Sequence, residues 1–222
     1  MKYAIISDID ANLPALQAVL QDLQKQQSTG VACLGDIVGN GPAPKECLDI
    51  IRSMNIPCVK GDLDEYCSGD RPLDSFNPKA AAHIEWTRQQ LTQDDRAWLR
   101  GLKYVETVAG FTIVHGTLNQ PERWAHVFDR IAATASFELQ GTTVCFFGHT
   151  HVPVVFIRET VVRGGTYSKF TIEPGRQYFA NPGSVGHPRD NNPKASYATY
   201  DLDERLIELH RVHFDALPGT KS

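Results

Sequence analysis

The chain alternates short, nearly unbroken apolar runs with longer stretches whose apolar residues recur every three or four positions. Runs of the first kind are Ile5-Ile6, Val31-Ala32-Cys33-Leu34, Cys58-Val59, Ile113-Val114 and Val144-Cys145-Phe146-Phe147. Each reads as a strand buried on both faces. Leu13, Leu16, Leu20 and Leu23 carry the helical period, with Asn12 as cap and Pro14 in the first turn, where its missing N–H is harmless. A second helix follows Pro42 and Pro44, turning Cys47, Leu48, Ile51 and Met54 inward, before Pro57 opens the next strand. Two more helices are expected between Asn77 and Gly101, the second capped by Thr92 with Asp95, and another over 121–139. The remainder reads as strands at 152–157, 160–162, 168–172, 177–179, 196–200 and 207–214. Strand–helix alternation that gives way to strands predicts an α/β fold. Residues 1–215 read as one domain and residues 216–222 as a mobile tail.

The chemistry gathers where the apolar runs stop. Asp8 and Asp10, Asp36, Asp62, His115, and the pair His149 and His151 each lie just past one of the five runs. In an α/β sheet, side chains at the carboxyl ends of neighbouring strands meet in one place. Oxygen and nitrogen donors converging there suit one or two divalent cations, with a carboxylate such as Asp36 bridging a pair. Singly, each residue has a plainer reading: Asp62 ahead of Asp64 and Glu65 could cap a helix, and His115 could be a hydrogen-bonded core histidine. The joint pattern favours a metal site, with Gly148-His149-Thr150-His151 its most specific element.

Composition narrows the partners. A net charge of −4 over 222 residues gives no basic field, so duplex nucleic acid and anionic membrane are poor partners, and no run nears the ~20 apolar residues a membrane span needs. The five cysteines lack paired spacing, and three sit in apolar runs, which predicts reduced core thiols and a cytoplasmic protein.

Six segments in order resemble the motifs of the calcineurin-like metallophosphoesterases: Ser7-Asp8-Ile9-Asp10-Ala11-Asn12, Gly35-Asp36-Ile37-Val38-Gly39-Asn40-Gly41-Pro42, Gly61-Asp62-Leu63-Asp64, Val114-His115-Gly116, Gly148-His149-Thr150-His151 and Asn181-Pro182-Gly183-Ser184-Val185-Gly186. The resemblance is to the compact bacterial phosphodiesterase and phosphatase branch. It implies a four-layer sandwich of two facing mixed sheets flanked by helices, and hydrolysis of a phosphate ester by a metal-bound hydroxide. It also implies that Asp8, Asp36 and His151 serve one metal, and Asp36, His115 and His149 a second. The substrate would be a small phosphorylated molecule or a nucleotide, met by the loops 40–44, 67–78, 119–124 and 186–193.

Three positions depart from that pattern. Asp10 stands where the family has a histidine ligand and Asp62 where it has asparagine, which raises the cluster to four acids. Such an oxygen-rich shell favours manganese, with magnesium, nickel, iron or zinc as alternatives, and makes an empty site either partly protonated or unstable. Leu63 replaces the histidine that serves the leaving group. The resemblance therefore implies an enzyme selective for good leaving groups. The alternative is a pseudoenzyme that binds metal or nucleotide as a regulatory module. His187 and Arg189 are candidate phosphate contacts, and the catalytic proton donor is unassigned.

Overall fold

The computed structural model describes residues 1–215, and the expected tail at 216–222 lies outside the described residues. One sheet contains β1 (Lys2–Ile6), β2 (Gly30–Cys33), β8 (Lys169–Thr171), β10 (Ala195–Asp201) and β11 (Leu206–Val212), in the order β2-β1-β10-β11-β8. The other contains β3 (Val105–Val108), β4 (Phe111–Val114), β5 (Val144–Phe146), β6 (Val154–Arg158), β7 (Val162–Gly165) and β9 (Gln177–Asn181), in the order β3-β4-β5-β9-β6-β7. Both are mixed: β1 runs parallel to β2 and antiparallel to β10, while β4, β5, β9 and β7 run one way and β3 and β6 run against them.

Strand alternation builds three apolar layers. Ile5, Ala32 and Leu34 face Phe111, Ile113, Phe146 and Tyr178 between the sheets, where Phe111 meets Phe146 edge-on at 5.6 Å. Their neighbours Ala4, Ile6 and Cys33 point the other way, onto α1 (Leu13–Lys25), α2 (Pro44–Met54), α3 (Asp62–Ser68), α4 (Pro78–Gln90) and α5 (Gln93–Gly101). On the far side Cys145, Phe147 and Phe179 pack against α6 (Arg130–Phe137). The result is the four-layer sandwich the resemblance implied. All five cysteines are buried and free, as expected of core thiols. No helix among the described residues is long and apolar enough to cross a membrane.

Some expectations are corrected. Cys58 and Val59 form only isolated parallel bridges, to Cys33 and Lys103, rather than a strand. The helix expected over 121–139 breaks into a 3₁₀ turn at Pro121–Arg123 and α6, because Trp124 turns left-handed and Asp129 caps a new helix through the Ile131 and Ala132 amides. The strand expected at 160–162 begins only at Val162. β3 was not foreseen, and α3 only as the alternative reading in which Asp62 caps a helix.

Glycine at 148 is obligatory for packing. A Cβ there would lie 2.0 Å from Ser7 Oγ and 2.7 Å from Asp8 Oδ2, whereas one on Gly101, at the end of α5, meets nothing within 4 Å. Gly148→Ala should therefore cost about 2–3 kcal/mol, and Gly101→Ala should gain about 0.5–1 kcal/mol by removing chain entropy from the helix. Urea midpoints at unchanged slope measure both, and shifts of the same sign would refute the contrast.

Candidate metal centre

The strand ends bring all seven predicted residues together at the seam of the two sheets. Asp8 and Asp10 follow β1, Asp36 follows β2, Asp62 opens α3, His115 follows β4, and His149 and His151 follow β5. Asp62 is partly exposed, while the other six are buried. Five of them, Asp8, Asp10, Asp36, His149 and His151, have φ between 50° and 67°. This left-handed backbone is uncommon for residues with a Cβ and turns each side chain back over the strand end. Hydrogen bonds between the loops fix these turns: Asp8 N–H donates to Gly35 O, Asp10 N–H to Asp36 O, Gly148 N–H to His115 O and Gly186 N–H to Asp8 O.

Donor atoms from Asp36, Asp62, His115 and His149 lie within 4.8 Å of one another. His115 Nε2 is 3.4 Å from Asp36 Oδ2 and 3.3 Å from Asp62 Oδ1, and His149 Nδ1 is 3.0 Å from Asp62 Oδ1. On the other side, His151 Nε2 is 3.4 Å from Asp8 Oδ1, and its ring lies 3.7 Å from Asp10 Oδ2.

Backbone carbonyls set all three imidazoles. His115 Nδ1 lies 2.8 Å from Leu34 O, His149 Nε2 3.0 Å from Trp124 O and His151 Nδ1 2.7 Å from His187 O. A carbonyl only accepts, so each of those nitrogens carries the hydrogen and the opposite nitrogen turns its lone pair into the cluster. His115 Nε2 and His149 Nδ1 then meet at 3.1 Å, where two lone pairs repel unless a proton or a cation lies between them. Asp10 Oδ2 and Asp62 Oδ1 are buried with no hydrogen-bond donor, while Asn40 Nδ2 holds Asp10 Oδ1 and the Leu63 amide holds Asp36 Oδ1. Asp10, held on one oxygen and bare on the other, and Asp62, whose bare oxygen faces the lone pairs of His115 Nε2 and His149 Nδ1, fit a divalent cation.

Electrostatics follow from burial. Desolvation, then the neighbouring charge of Asp62, pushes the Asp36 carboxyl well above the carboxylate range, and desolvation also raises Asp10. Burial opposes the charge of Asp62 too, but the imidazoles of His115 and His149 close beside it outweigh that and hold the carboxyl below its usual range. Burial likewise opposes charge on His115, and the facing Asp36 carboxylate outweighs it, raising the imidazole well above its ordinary value.

Of the two candidate phosphate contacts, Arg189 lines a cavity of about 190 Å³ over the cluster, together with Leu63, Phe76 and His83. The His187 side chain is exposed, and its carbonyl holds His151. Sequence reasoning missed several supports. Asp64, fully buried, accepts from the amides of Ile37, Val38 and Gly61 and ties α3 to the Asp36 loop. Asn181 Nδ2 holds Gly148 O and Thr150 Oγ1. His126 lays its ring 4.0 Å from that of His149. The Asn181-Pro182-Gly183-Ser184 motif and the Gly61–Asp64 spacing signalled the first two; nothing in the local sequence marked His126.

This chain belongs to the calcineurin-like phosphoesterase superfamily, whose domain matches residues 1–205. It is a metallophosphoesterase, a hydrolase of phosphate ester bonds, with an Asp/His cluster suited to a divalent metal. It is 36% identical to the uncharacterized protein MJ0912 of Methanocaldococcus jannaschii over 219 residues, covering 96% of this chain and 87% of that one. With phosphodiesterase YfcE of Escherichia coli K12 it shares 27% over 213 residues, 91% and 89% of the two chains. The crystal structure of a metallophosphoesterase from Sphaerobacter thermophilus is similar, with TM-score 0.82 and 37% identity over 97% of this chain and 89% of that one.

The shifts give a sign for pH. A raised His115 pKa contributes stability below its unfolded value of ~6.5 that is lost as pH climbs through the folded value, and a raised Asp36 pKa also costs stability as pH rises. Metal-stripped protein should therefore melt at progressively lower temperature from pH 6 to pH 9. Protein loaded with manganese should hold its melting temperature, since metal replaces the proton. Parallel melting curves for the two forms across that range would contradict this account.

Proposed function

We propose that Asp8, Asp10, Asp36 and His151 hold one divalent cation, that Asp36, Asp62, His115 and His149 hold a second, and that phosphate esters are hydrolysed between them and Arg189. The observation that carries this reading is the bare buried Asp62 Oδ1 facing the lone pairs of His115 Nε2 and His149 Nδ1, with the bare buried Asp10 Oδ2 beside it. Bound cations would supply Lewis acidity and neutralise charge on the phosphate. Four carboxylates among seven donors favour manganese over softer ions. The five free buried thiols support a reducing compartment, the cytoplasm.

The protein's own groups do the rest. Three carbonyls hold the imidazoles in one tautomer, so no ring reorients on loading. Arg189 at the cavity wall can take two phosphate oxygens at once. Leu63 presents an apolar side chain to the cavity while its amide holds Asp36, so no proton reaches a leaving group from that position. Esters of acidic alcohols are the expected substrates. Leu63 also favours one competing reading, a regulatory module without turnover.

With manganese restored to stripped protein, bis-p-nitrophenyl phosphate should be hydrolysed, and Asp36→Asn should lower kcat at least ~100-fold. Metal uptake without turnover under manganese, magnesium, nickel or zinc would establish the regulatory reading instead. Leu63→His should raise kcat/KM on an alkyl diester by about 10²-fold while changing the p-nitrophenyl ester by only a few-fold. Equal effects on both esters would remove Leu63 from the account of leaving-group choice.

A further inference from the structure

A departing alkoxide or phenoxide needs a proton, and Leu63 at the cavity wall cannot give one. The wall next to Leu63 comes from α4. Three residues of that helix line the cavity, Ala80, His83 and Ile84, and of these His83 alone can carry a proton. No cluster residue lies near it in sequence, and nothing in the strand-end pattern pointed to it.

His83 is set by the same device as the cluster imidazoles. Its Nε2 lies 2.7 Å from Gly39 O, and because a carbonyl only accepts, Nε2 carries a hydrogen. Among the described residues no hydrogen bond engages Nδ1, and the ring rests 5.2 Å from that of Trp86. Gly39 also joins His83 to Leu63. A Cβ built on Gly39 would lie 2.5 Å from Leu63 Cδ1, so the glycine whose carbonyl holds the imidazole also touches the leucine side chain. The other imidazoles at the cavity are committed elsewhere: His149 and His151 belong to the cluster, and His126 lays its ring on that of His149. His83 makes its hydrogen bond and its ring contact outside the cluster, and it is half-buried, within reach of solvent.

We propose that His83 is the general acid of this site and protonates the leaving oxygen from α4, in place of the residue at position 63. A protonated imidazole has two N–H groups; Gly39 O takes the one on Nε2, and the one on Nδ1 is free for a ligand of the cavity. Hydroxide adds to phosphorus, and the P–O bond to the departing arm breaks with its electron pair on oxygen. That oxygen takes the Nδ1 proton and leaves as a neutral phenol or alcohol. His83 is left as the neutral imidazole, and solvent returns its proton. The substrate class then extends from nitrophenolate-like leaving groups to phenols of ordinary acidity. This rests on the phosphoesterase reading above.

The test separates an acid from a latch between α4 and the loop after β2. In His83→Gln the side-chain amide can still donate to Gly39 O, but it has no proton to release. Methyl p-nitrophenyl phosphate and methyl phenyl phosphate, given to the manganese-loaded protein, differ in the leaving group alone. His83→Gln should raise the ratio of p-nitrophenyl to phenyl kcat at least ~10-fold, because the poorer leaving group depends on the acid. In the Leu63→His background the proton has a second source, and the same substitution should move that ratio by less than about 2-fold. Equal manganese uptake and melting temperature in wild type and His83→Gln control for folding. A ratio that His83→Gln leaves unchanged, or shifts equally in both backgrounds, overturns the acid and leaves the phosphoesterase reading standing. Turnover of neither ester by the wild type removes the phosphoesterase reading and His83 as its acid together.

Discussion

Burying four carboxylates within a few ångströms of one another is the constraint around which this molecule is organised. At an effective dielectric of ~20, each pair of charges 4 Å apart repels by about 4 kcal/mol, and desolvation adds to that. The chain answers mainly with backbone. Asp8 accepts the His149 amide, Asp36 the Leu63 amide, and the supporting Asp64 three amides more. Side chains add the Asn40 amide on Asp10 and the Ser7 hydroxyl on Asp8. The amides come from loops that leave different strands, so neutralising the acids and joining the two sheets at their seam are one set of contacts.

That arrangement has a conformational cost. Five left-handed residues at about 1 kcal/mol each would be a large load for isolated loops. They persist because they follow buried strands and neighbouring loops take their amides: Asp8 N–H donates to Gly35 O, Asp10 N–H to Asp36 O, and His149 N–H to the Asp8 carboxylate. Asp64 extends the same logic to α3. Burial pushes its carboxyl up to about 6, although three amides favour its charged form, so it spans the gap between core and site.

Legibility in the sequence followed the physics. Doubly buried strands announce themselves as apolar runs, and their carboxyl ends therefore located every candidate ligand but Asp62, whose run Cys58-Val59 forms only isolated bridges. α1 and α5 were legible because their caps, Asn12 and the Thr92–Asp95 pair, are side chains. Segments governed by backbone partners were not. The stretch 124–128 carries a passable helical pattern, yet Trp124 leaves the helix to present its carbonyl to His149. The short α3 was obscured because its first turn is the acidic motif itself, and β3 because it is a four-residue edge strand with two polar members. Leu34, Trp124 and His187 orient the imidazoles through carbonyl oxygens, which every residue type possesses, so no choice of side chain could have revealed that role.

Those carbonyls also bear on how such a centre can change over evolutionary time. The orientation of each imidazole is held by main chain that would survive replacement of its neighbours, and Asp8 and Asp36 are anchored by amides, while Asp10 and Asp62 take no backbone amide. The framework that aims the donors is thus separable from the identity of the donors. Exchanging Asp10 for histidine or Asp62 for asparagine would alter the charge and hardness of the shell without asking the fold to move. Metal preference in this architecture can drift by single codons, while the loops that do the aiming stay fixed.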